Sequence, residues 1–163
     1  MIGWLVNSRS KWRNPIYPKR RYSRILRPIE KIVIDANALL SIVIGGKAAH
    51  RIMTHPKAPE LCVTRQALAE VEEYIPALAT RKKLNAELLW SIWRLLPVEA
   101  LESPHSGPAW NQTHQRDPDD VPTLALALAH GWPIWSQDKD FDEARNLCQV
   151  YSTAVLLQLL DNS

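Results

Sequence analysis

The sequence predicts an α/β protein in which helices cover both faces of a parallel sheet. Strand-like apolar segments alternate with helical segments along the chain, which is the pattern of parallel sheets. One helical segment, VPTLALALAHG at 121–131, is apolar on nearly every face and is therefore expected to be buried. With 163 residues, 46% of them hydrophobic, the chain can bury one sizeable core. No apolar run approaches the roughly 20 residues of a membrane span.

The predicted elements follow one another in a regular order. Strands are predicted at KIVI, ELCVT, VEAL, PIWS and CQVYS. Helices are predicted at NALLSIVIGG, KAAHRIMTH, RQALAEVEEYIPAL, LNAELLWSIWRLL, VPTLALALAHG, DFDEARN and TAVLLQLL. Gly45 and Gly131 are expected to stop the helices that precede them, and Thr64 is expected to cap the helix that follows it. Pro76 is expected to kink or end its helix.

The charge of the first 30 residues differs from that of the remainder. From its start to Lys31 the chain has nine Lys or Arg and one Glu, a net charge of +8, which leaves −5 for the rest because the total is +3. The sequence thus predicts a basic, irregular arm at 1–30 and one domain at 31–163. The arm is suited to contact phosphates, and the alternatives are a solvated leader or a misplaced start codon. Three of its aromatic side chains are available to stack on bases: Trp12, Tyr17 and Tyr22.

The cysteines and histidines show no pattern of a catalytic or metal site. Cys62 and Cys148 lie in apolar surroundings without metal-ligand spacing, which favours a reducing compartment and predicts a cytoplasmic protein. The five histidines share no ligand spacing, and neither a Ser-His-Asp nor a Cys-His arrangement is evident.

Four acidic residues fall at positions that a parallel sheet brings to one edge. Asp35 ends the first strand, and Asp138 stands just beyond PIWS. Asp120 begins the buried helix, and Glu70 borders the apolar side of the helix after the second strand. Ligands of such sheets bind outside the carboxyl ends of the strands. We therefore expect these four carboxylates to line one cleft.

Neighbouring polar residues have structural alternatives. Because Pro122 belongs in the first helical turn, Asp119 is expected to be the helix cap, which leaves Asp120 free to enter the cleft. Asn37 is expected to cap the first helix and to support the site. Asp140 is expected to be a second ligand beside Asp138 or a cap. Loop or surface positions are expected for Asp117, Glu72, Glu73 and Asp142.

Clustered carboxylates point to a metal ion. Several ionised carboxylates within a few ångströms repel one another, and one or more would take up a proton unless a cation lay among them. A donor set of oxygens alone, without His or Cys, favours Mg²⁺ or Mn²⁺ over Zn²⁺. Such an ion lowers the pKa of bound water and clamps phosphate oxygens, which indicates phosphodiester hydrolysis.

The order of these motifs resembles that of a PIN domain, and related domains include the VapC-type toxins. The resemblance is carried by IVIDANALLS, ALAEVEEY, RDPDDVPTLALALAHGWPIWSQDKDF and CQVYSTAVLLQLL, which together span about 31–160. It implies a three-layer α/β/α sandwich with a central parallel sheet and a Mg²⁺- or Mn²⁺-dependent ribonuclease. The implied catalytic and metal-binding residues are Asp35, Glu70, Asp120 and Asp138, with Asp140 as a further metal ligand.

Two functions of different classes follow from this pattern. The first is an endoribonuclease that hydrolyses RNA phosphodiester bonds, with the toxin of a toxin–antitoxin pair as its special case. The second is a non-catalytic module that binds RNA or a partner and keeps the acids as a structural metal site. A phosphatase with an aspartyl-phosphate is disfavoured, because Asn37 stands where a second Asp would be needed. The expected partners are RNA, a small antitoxin protein and a second copy of the chain, without a membrane.

Deleting the residues before Lys31 should weaken RNA binding and flatten its salt dependence. Each phosphate that Lys or Arg neutralises adds roughly 0.7 to the slope of log affinity against log salt for single strands. Cleavage at saturating RNA should stay nearly unchanged, and the fold should survive. Binding measured at several salt concentrations tests this expectation, and an unchanged affinity and slope would identify the arm as a passive leader.

Overall fold

The computed structural model describes residues 28–107, 109 and 118–163, and within them a five-stranded sheet forms the centre of the protein. The predicted arm up to residue 27 and Asp117 lie outside this part of the chain. The strands are β1 (Lys31–Ile34), β2 (Glu60–Thr64), β3 (Val98–Leu101), β4 (Ile134–Trp135) and β5 (Val150–Tyr151). All neighbouring strands are parallel, in the order β3-β2-β1-β4-β5.

The helices lie between the strands, as the alternating pattern predicts. They are α1 (Ala36–Val43), α2 (Lys47–Met53), α3 (Arg65–Lys82), α4 (Ala86–Leu95), α5 (Val121–His130) and α6 (Thr153–Asp161), with 3₁₀ turns at Pro118–Asp120 and Lys139–Asn146. Thr64 caps α3 by accepting a hydrogen bond from the Ala67 N–H at 3.1 Å, as predicted. Gly131 ends α5 with φ +67°, a left-handed conformation that glycine adopts without strain. In the described part of the chain, no helix is both long and apolar enough to cross a membrane.

The expectation that Pro76 could end its helix is wrong. Pro76 lies inside α3, which continues to Lys82. The residues on both sides of the proline hold the helix in place, because Val71 and Ile75 before it and Ala79 after it are all buried in the core. Burial of this continuous apolar face offsets the backbone hydrogen bond that proline cannot donate.

Two apolar layers lie on opposite faces of the sheet. Side chains alternate along β1, so that Ile32 and Ile34 pack in the cluster that contains helices α1 to α4 and α6, while Val33 packs in the cluster of α5. Each of these three β1 residues is fully buried. The predicted arrangement, a parallel sheet between two helical layers, is confirmed.

The contacts of the domain reach back to a point just before β1. Ile29 packs against the larger apolar cluster, and the carbonyl of Glu30 accepts a hydrogen bond from the Glu60 N–H at 2.8 Å. At the same edge, the Lys31 ammonium contacts Glu99 at 2.8 Å and Glu60 at 3.1 Å. An experiment that deletes the arm should therefore remove residues 1–27 only, because a deletion up to Lys31 would also remove the contacts of Ile29 and Glu30.

The strand order creates one crevice at the carboxyl edge of the sheet. From β1 the chain adds β2 and then β3 on one side, and later adds β4 and β5 on the other side. The connections that leave β1 and β4 consequently diverge, and ligands of open parallel sheets bind at such a switch point. Asp35 follows β1 directly, and Ser136 follows β4 directly.

Candidate active site

Asp35 is the most buried acid at the switch point, with 4% of its surface exposed. Its Oδ1 accepts a hydrogen bond from the Ala38 N–H at 2.7 Å, and this bond caps α1. Its backbone N–H donates to the carbonyl of Trp135 at 3.2 Å, which ties the end of β1 to β4. The expectation that Asn37 caps α1 is therefore wrong, because the extended backbone of Asp35 places its carboxylate over the free amides of the first turn.

Ser136 is a site residue that the sequence analysis missed. Its hydroxyl donates a hydrogen bond to Oδ2 of Asp35, and its side chain is 3% exposed. The same Oγ accepts a hydrogen bond from the backbone N–H of Asp138 at 2.9 Å. The parallel register pairs Ile34 with Trp135, so Asp35 and Ser136 are the next residues of two adjacent strands. A polar residue directly after an apolar strand is the signal that could have indicated Ser136 in advance.

Asp138 lies in the loop that follows β4 and faces the start of α1. Its Oδ2 accepts a hydrogen bond from the Asn37 side-chain amide at 3.3 Å, so Asn37 supports the site although it is not the cap. Its Oδ1 accepts from the Asp140 N–H at 2.9 Å and thereby caps the 3₁₀ segment Lys139–Asn146. These two bonds fix the orientation of the Asp138 carboxylate beside Asp35.

The electrostatics of Asp35 reveal which other acids are near it. The pKa of Asp35 is raised from 3.8 to about 6. Burial is the largest cause, hydrogen bonds from Ser136 and Ala38 act in the opposite direction, and the negative charges of Asp138 and Glu70 add to the rise. Glu70 and Asp138 are thus each close enough to Asp35 for their charges to act on it. Two of the other three acids predicted to share a cleft therefore lie within electrostatic range of Asp35.

The start of α5 is held at the same edge of the sheet by two side-chain bonds. Gln66, in the first turn of α3, donates to Asp119 at 3.4 Å. Ser103, just after β3, donates to the carbonyl of Pro122 at 2.8 Å. Asp120 is half-buried and lies in the chain between Asp119 and Pro122, the two residues that these bonds hold. Its role as the fourth acid of the cleft stays a prediction.

The predicted helix cap at Asp119 is wrong. The 3₁₀ turn Pro118–Asp120 moves the start of α5 to Val121, so that Asp120 occupies the cap position. Asp120 has helical backbone angles (φ −79°, ψ −20°) and makes no capping bond with its side chain. A capping side chain needs an extended backbone to reach the first amides, and this explains why the Asp120 carboxylate is not used for capping.

Two further acids of this region face solvent. The Asp140 side chain is exposed, and its predicted role as a metal ligand stays a prediction. Asp142 is also exposed and contacts Arg145 at 2.8 Å, as expected of a surface residue.

The donor set at this edge fits a hard divalent cation in its chemistry. The carboxylates of Asp35, Glu70 and Asp138 offer only oxygen, and the mutual repulsion of their charges is what a cation relieves. Among the described residues, no three acidic, histidine or cysteine side chains stand close enough together to hold a metal ion between them. Thiolate chemistry has no support, since burial raises the pKa of both Cys62 and Cys148 to about 11.

The chain belongs to the PIN domain family, a family of nucleases. The PIN domain profile matches residues 33–146, which is well over half of the chain and contains Asp35, Glu70, Asp120 and Asp138. The expected resemblance is confirmed. No curated protein is significantly similar to this chain.

Solved structures share the fold at low sequence identity. PAE2754 from Pyrobaculum aerophilum is 18% identical with a TM-score of 0.59, over 83% of this chain and 98% of that one. VapBC2 from Rickettsia felis, bound to a DNA fragment from their promoter, is 10% identical with a TM-score of 0.53, over 75% of this chain and 98% of that one. At these identities the similarities establish the fold alone, and the activity has to be argued from the residues of the site.

Asp35→Asn should raise the free energy of unfolding near neutral pH when no divalent cation is present. Because the pKa of Asp35 is 3.8 in the reference state and about 6 in the fold, protonation stabilises the folded chain. This stabilisation is complete below the lower pKa and is lost as the pH rises through about 6. The neutral amide avoids the loss, so the variant should exceed the wild type by about 2–3 kcal/mol at about pH 7 and by little at about pH 4.

Urea unfolding of both proteins in a chelating buffer at the two pH values measures this difference. An advantage of the variant that is equal at both pH values would contradict the assignment to the ionisation of Asp35.

Proposed function

We propose that this chain is a metal-dependent endoribonuclease that hydrolyses phosphodiester bonds of RNA. The observation that carries the proposal is the placement of Asp35 at the switch point of a PIN fold, with Asp138 beside it and Glu70 within electrostatic range. An open parallel sheet binds its ligand at this position, and the acids stand where the substrate phosphate would lie.

Asp35, Glu70, Asp120 and Asp138 would hold Mg²⁺ or Mn²⁺, with Asp140 as a further ligand. When bound, such an ion lowers the pKa of water and neutralises charge that develops on the phosphate oxygens. The buried position of Asp35 supports its role as a ligand, because a carboxylate with 4% exposure is stabilised by a cation far more than one in open water.

The residues around the acids would position them. The Ala38 N–H and the Ser136 hydroxyl each bond one oxygen of Asp35, which fixes the rotation of its carboxylate. Asn37 fixes one oxygen of Asp138 in the same way. Hydrogen bonds of this kind, from neighbouring residues to the ligand side chains, keep the carboxylates in the orientation that a hard cation requires.

RNA cleavage should require a divalent cation and the Asp35 carboxylate. EDTA should abolish cleavage of a mixed RNA substrate, and added Mg²⁺ or Mn²⁺ should restore it. Asp35→Asn should reduce the rate by at least about 100-fold, since even the outer contacts of a metal site are worth about 10- to 100-fold. The matched control is Asp142→Asn, which changes an exposed acid outside the cleft and should leave the rate unchanged.

Gel analysis of the RNA products distinguishes the competing functions. Full cleavage in EDTA would exclude the metal-dependent mechanism. RNA binding without cleavage in the presence of either metal would favour the non-catalytic module. Equal cleavage by the wild type and Asp35→Asn would assign the activity to a contaminant and contradict the proposal.

The resemblance to VapC-type toxins extends the proposal to regulation by a small antitoxin protein. A toxin of this kind cleaves RNA of its own cell, so expression of the wild-type chain in bacteria should arrest growth, whereas Asp35→Asn at equal expression should not. Growth curves after induction, with immunoblots for protein amount, provide the measurement. Normal growth with active wild-type enzyme would remove the toxin role and leave the nuclease proposal intact.

A further inference from the structure

We propose that the ring of Tyr74 stacks on a base of RNA and so forms a nucleobase subsite beside the acidic cleft. The inference rests on the proposed function, because it takes RNA as the ligand of that cleft. Tyr74 is 52% exposed, and its hydroxyl forms no hydrogen bond with another residue in the described part of the chain. A single exposed apolar side chain is ordinary on a protein surface, so the meaning of Tyr74 depends on its position.

Tyr74 belongs to a row of side chains along one flank of α3. Gln66, Glu70 and Tyr74 are four residues apart, a spacing that places side chains above one another on a helix. These three residues directly precede the buried residues Ala67, Val71 and Ile75. The row therefore runs beside the buried face of α3 along the length of the helix.

Two members of this row interact with residues at the carboxyl edge of the sheet. The Gln66 side chain donates a hydrogen bond to Asp119, just before α5, at 3.4 Å. The charge of Glu70 acts on Asp35, which follows β1. The row thus lies along one side of the cleft, and Tyr74 is its next member beyond Glu70.

The opposite flank of α3 faces a different part of the protein. Glu72 accepts a hydrogen bond from the indole N–H of Trp93 at 3.2 Å, which joins α3 to α4. Glu72 and Tyr74 are two positions apart, and this separation turns their side chains about 200° from each other around a helix. Tyr74 consequently points away from α4, on the side of the helix that it shares with Glu70.

The separation of Glu70 and Tyr74 suits the size of a nucleotide. Four residues of α-helix rise about 6 Å, so a phosphate held at the acids would leave the base of the same or the next nucleotide within reach of the ring. Ala77, about one turn further on, has only a methyl group and leaves the ring uncovered. The exposed Glu73 repels phosphate, so the uncharged base is the part of RNA that this position can hold.

A subsite of this kind selects the state of the RNA rather than its sequence. Aromatic side chains stack on bases that are unpaired and turned out of their own helix. Every base has a π-face, so stacking is tolerant of base identity. We therefore expect the chain to act on RNA that is single-stranded at the cleaved bond.

Steady-state cleavage of a single-stranded RNA oligonucleotide by the full-length chain tests the subsite. Tyr74→Ala should raise KM by about 5- to 150-fold, the range that base stacking covers. The kcat should stay nearly unchanged, because the ring binds the substrate and the transition state alike. Tyr74→Phe keeps the ring and should retain the KM of the wild type. The matched control is Val155→Ala, at another exposed apolar position (45% exposed), and it should change neither constant.

Abasic nucleotides identify the base that the ring contacts. When the nucleotides around the cleaved bond are replaced one at a time, one abasic position should raise the KM of the wild type about as much as Tyr74→Ala does. At that position Tyr74→Ala should add no further loss, because the ring and the base act as one pair. A ring with a purely structural role would give losses that add at every position.

Binding measured without cleavage separates this inference from the proposed nuclease activity. Fluorescence anisotropy of the labelled RNA in Mg²⁺ compares the Asp35→Asn chain with and without Tyr74→Ala. Weaker binding after Tyr74→Ala, beside a wild type that does not cleave, would contradict the nuclease proposal and support the subsite. Normal cleavage with an unchanged KM in Tyr74→Ala, or losses that add at every abasic position, would overturn the subsite alone. A chain that neither binds nor cleaves RNA would overturn both.

Discussion

The hydrogen bonding of the Asp35 carboxylate is the interaction on which the candidate site depends. One oxygen closes the first turn of α1 through the Ala38 N–H, and the other accepts from the Ser136 hydroxyl at the end of β4. A buried carboxylate without partners is costly, so the charge is tolerated only because these donors surround it. The same residue therefore joins a helix end, two central strands and the acidic cleft.

The acidic residues at the two edges of the sheet differ in the charges that surround them. At the amino edge, Lys31 contacts both Glu60 and Glu99, and this ion-pairing holds the pKa of Glu99 below its usual range. At the carboxyl edge, burial raises the pKa of Asp35, and the charges of Asp138 and Glu70 add to that rise. At the amino edge a lysine of the chain itself thus pairs with the acids, whereas at the carboxyl edge the acids accumulate negative charge that an external cation can satisfy.

The net charges of the two parts of the chain act on RNA in opposite directions. Residues from 32 onward carry a net charge of −5, which repels the phosphates of RNA, while the chain up to Lys31 carries +8. In the proposed nuclease, a divalent cation would screen the acids at the cleft and the arm would supply the long-range attraction for RNA. Substrate attraction and substrate chemistry would then reside in separate parts of one chain.

The sequence by itself determined the order of strands and helices and the placement of the acids at strand ends and helix starts. These features depend on local periodicity and on residues such as Thr64 and Gly131, whose capping roles follow from the chain immediately around them. The family pattern was recognisable for the same reason, since its motifs are short and ordered along the sequence.

Only the tertiary structure decided which partners these residues have. Ser136 bonds Asp35 across 101 residues of sequence, and this pairing exists because β4 lies next to β1. The same proximity directs Asn37 toward Asp138 and leaves Asp35 as the cap of α1. Pro76 stays inside α3 because the core holds the helix on both sides of it. Local propensity cannot anticipate such outcomes, since they arise from contacts between segments that are distant in sequence and adjacent only in the folded chain.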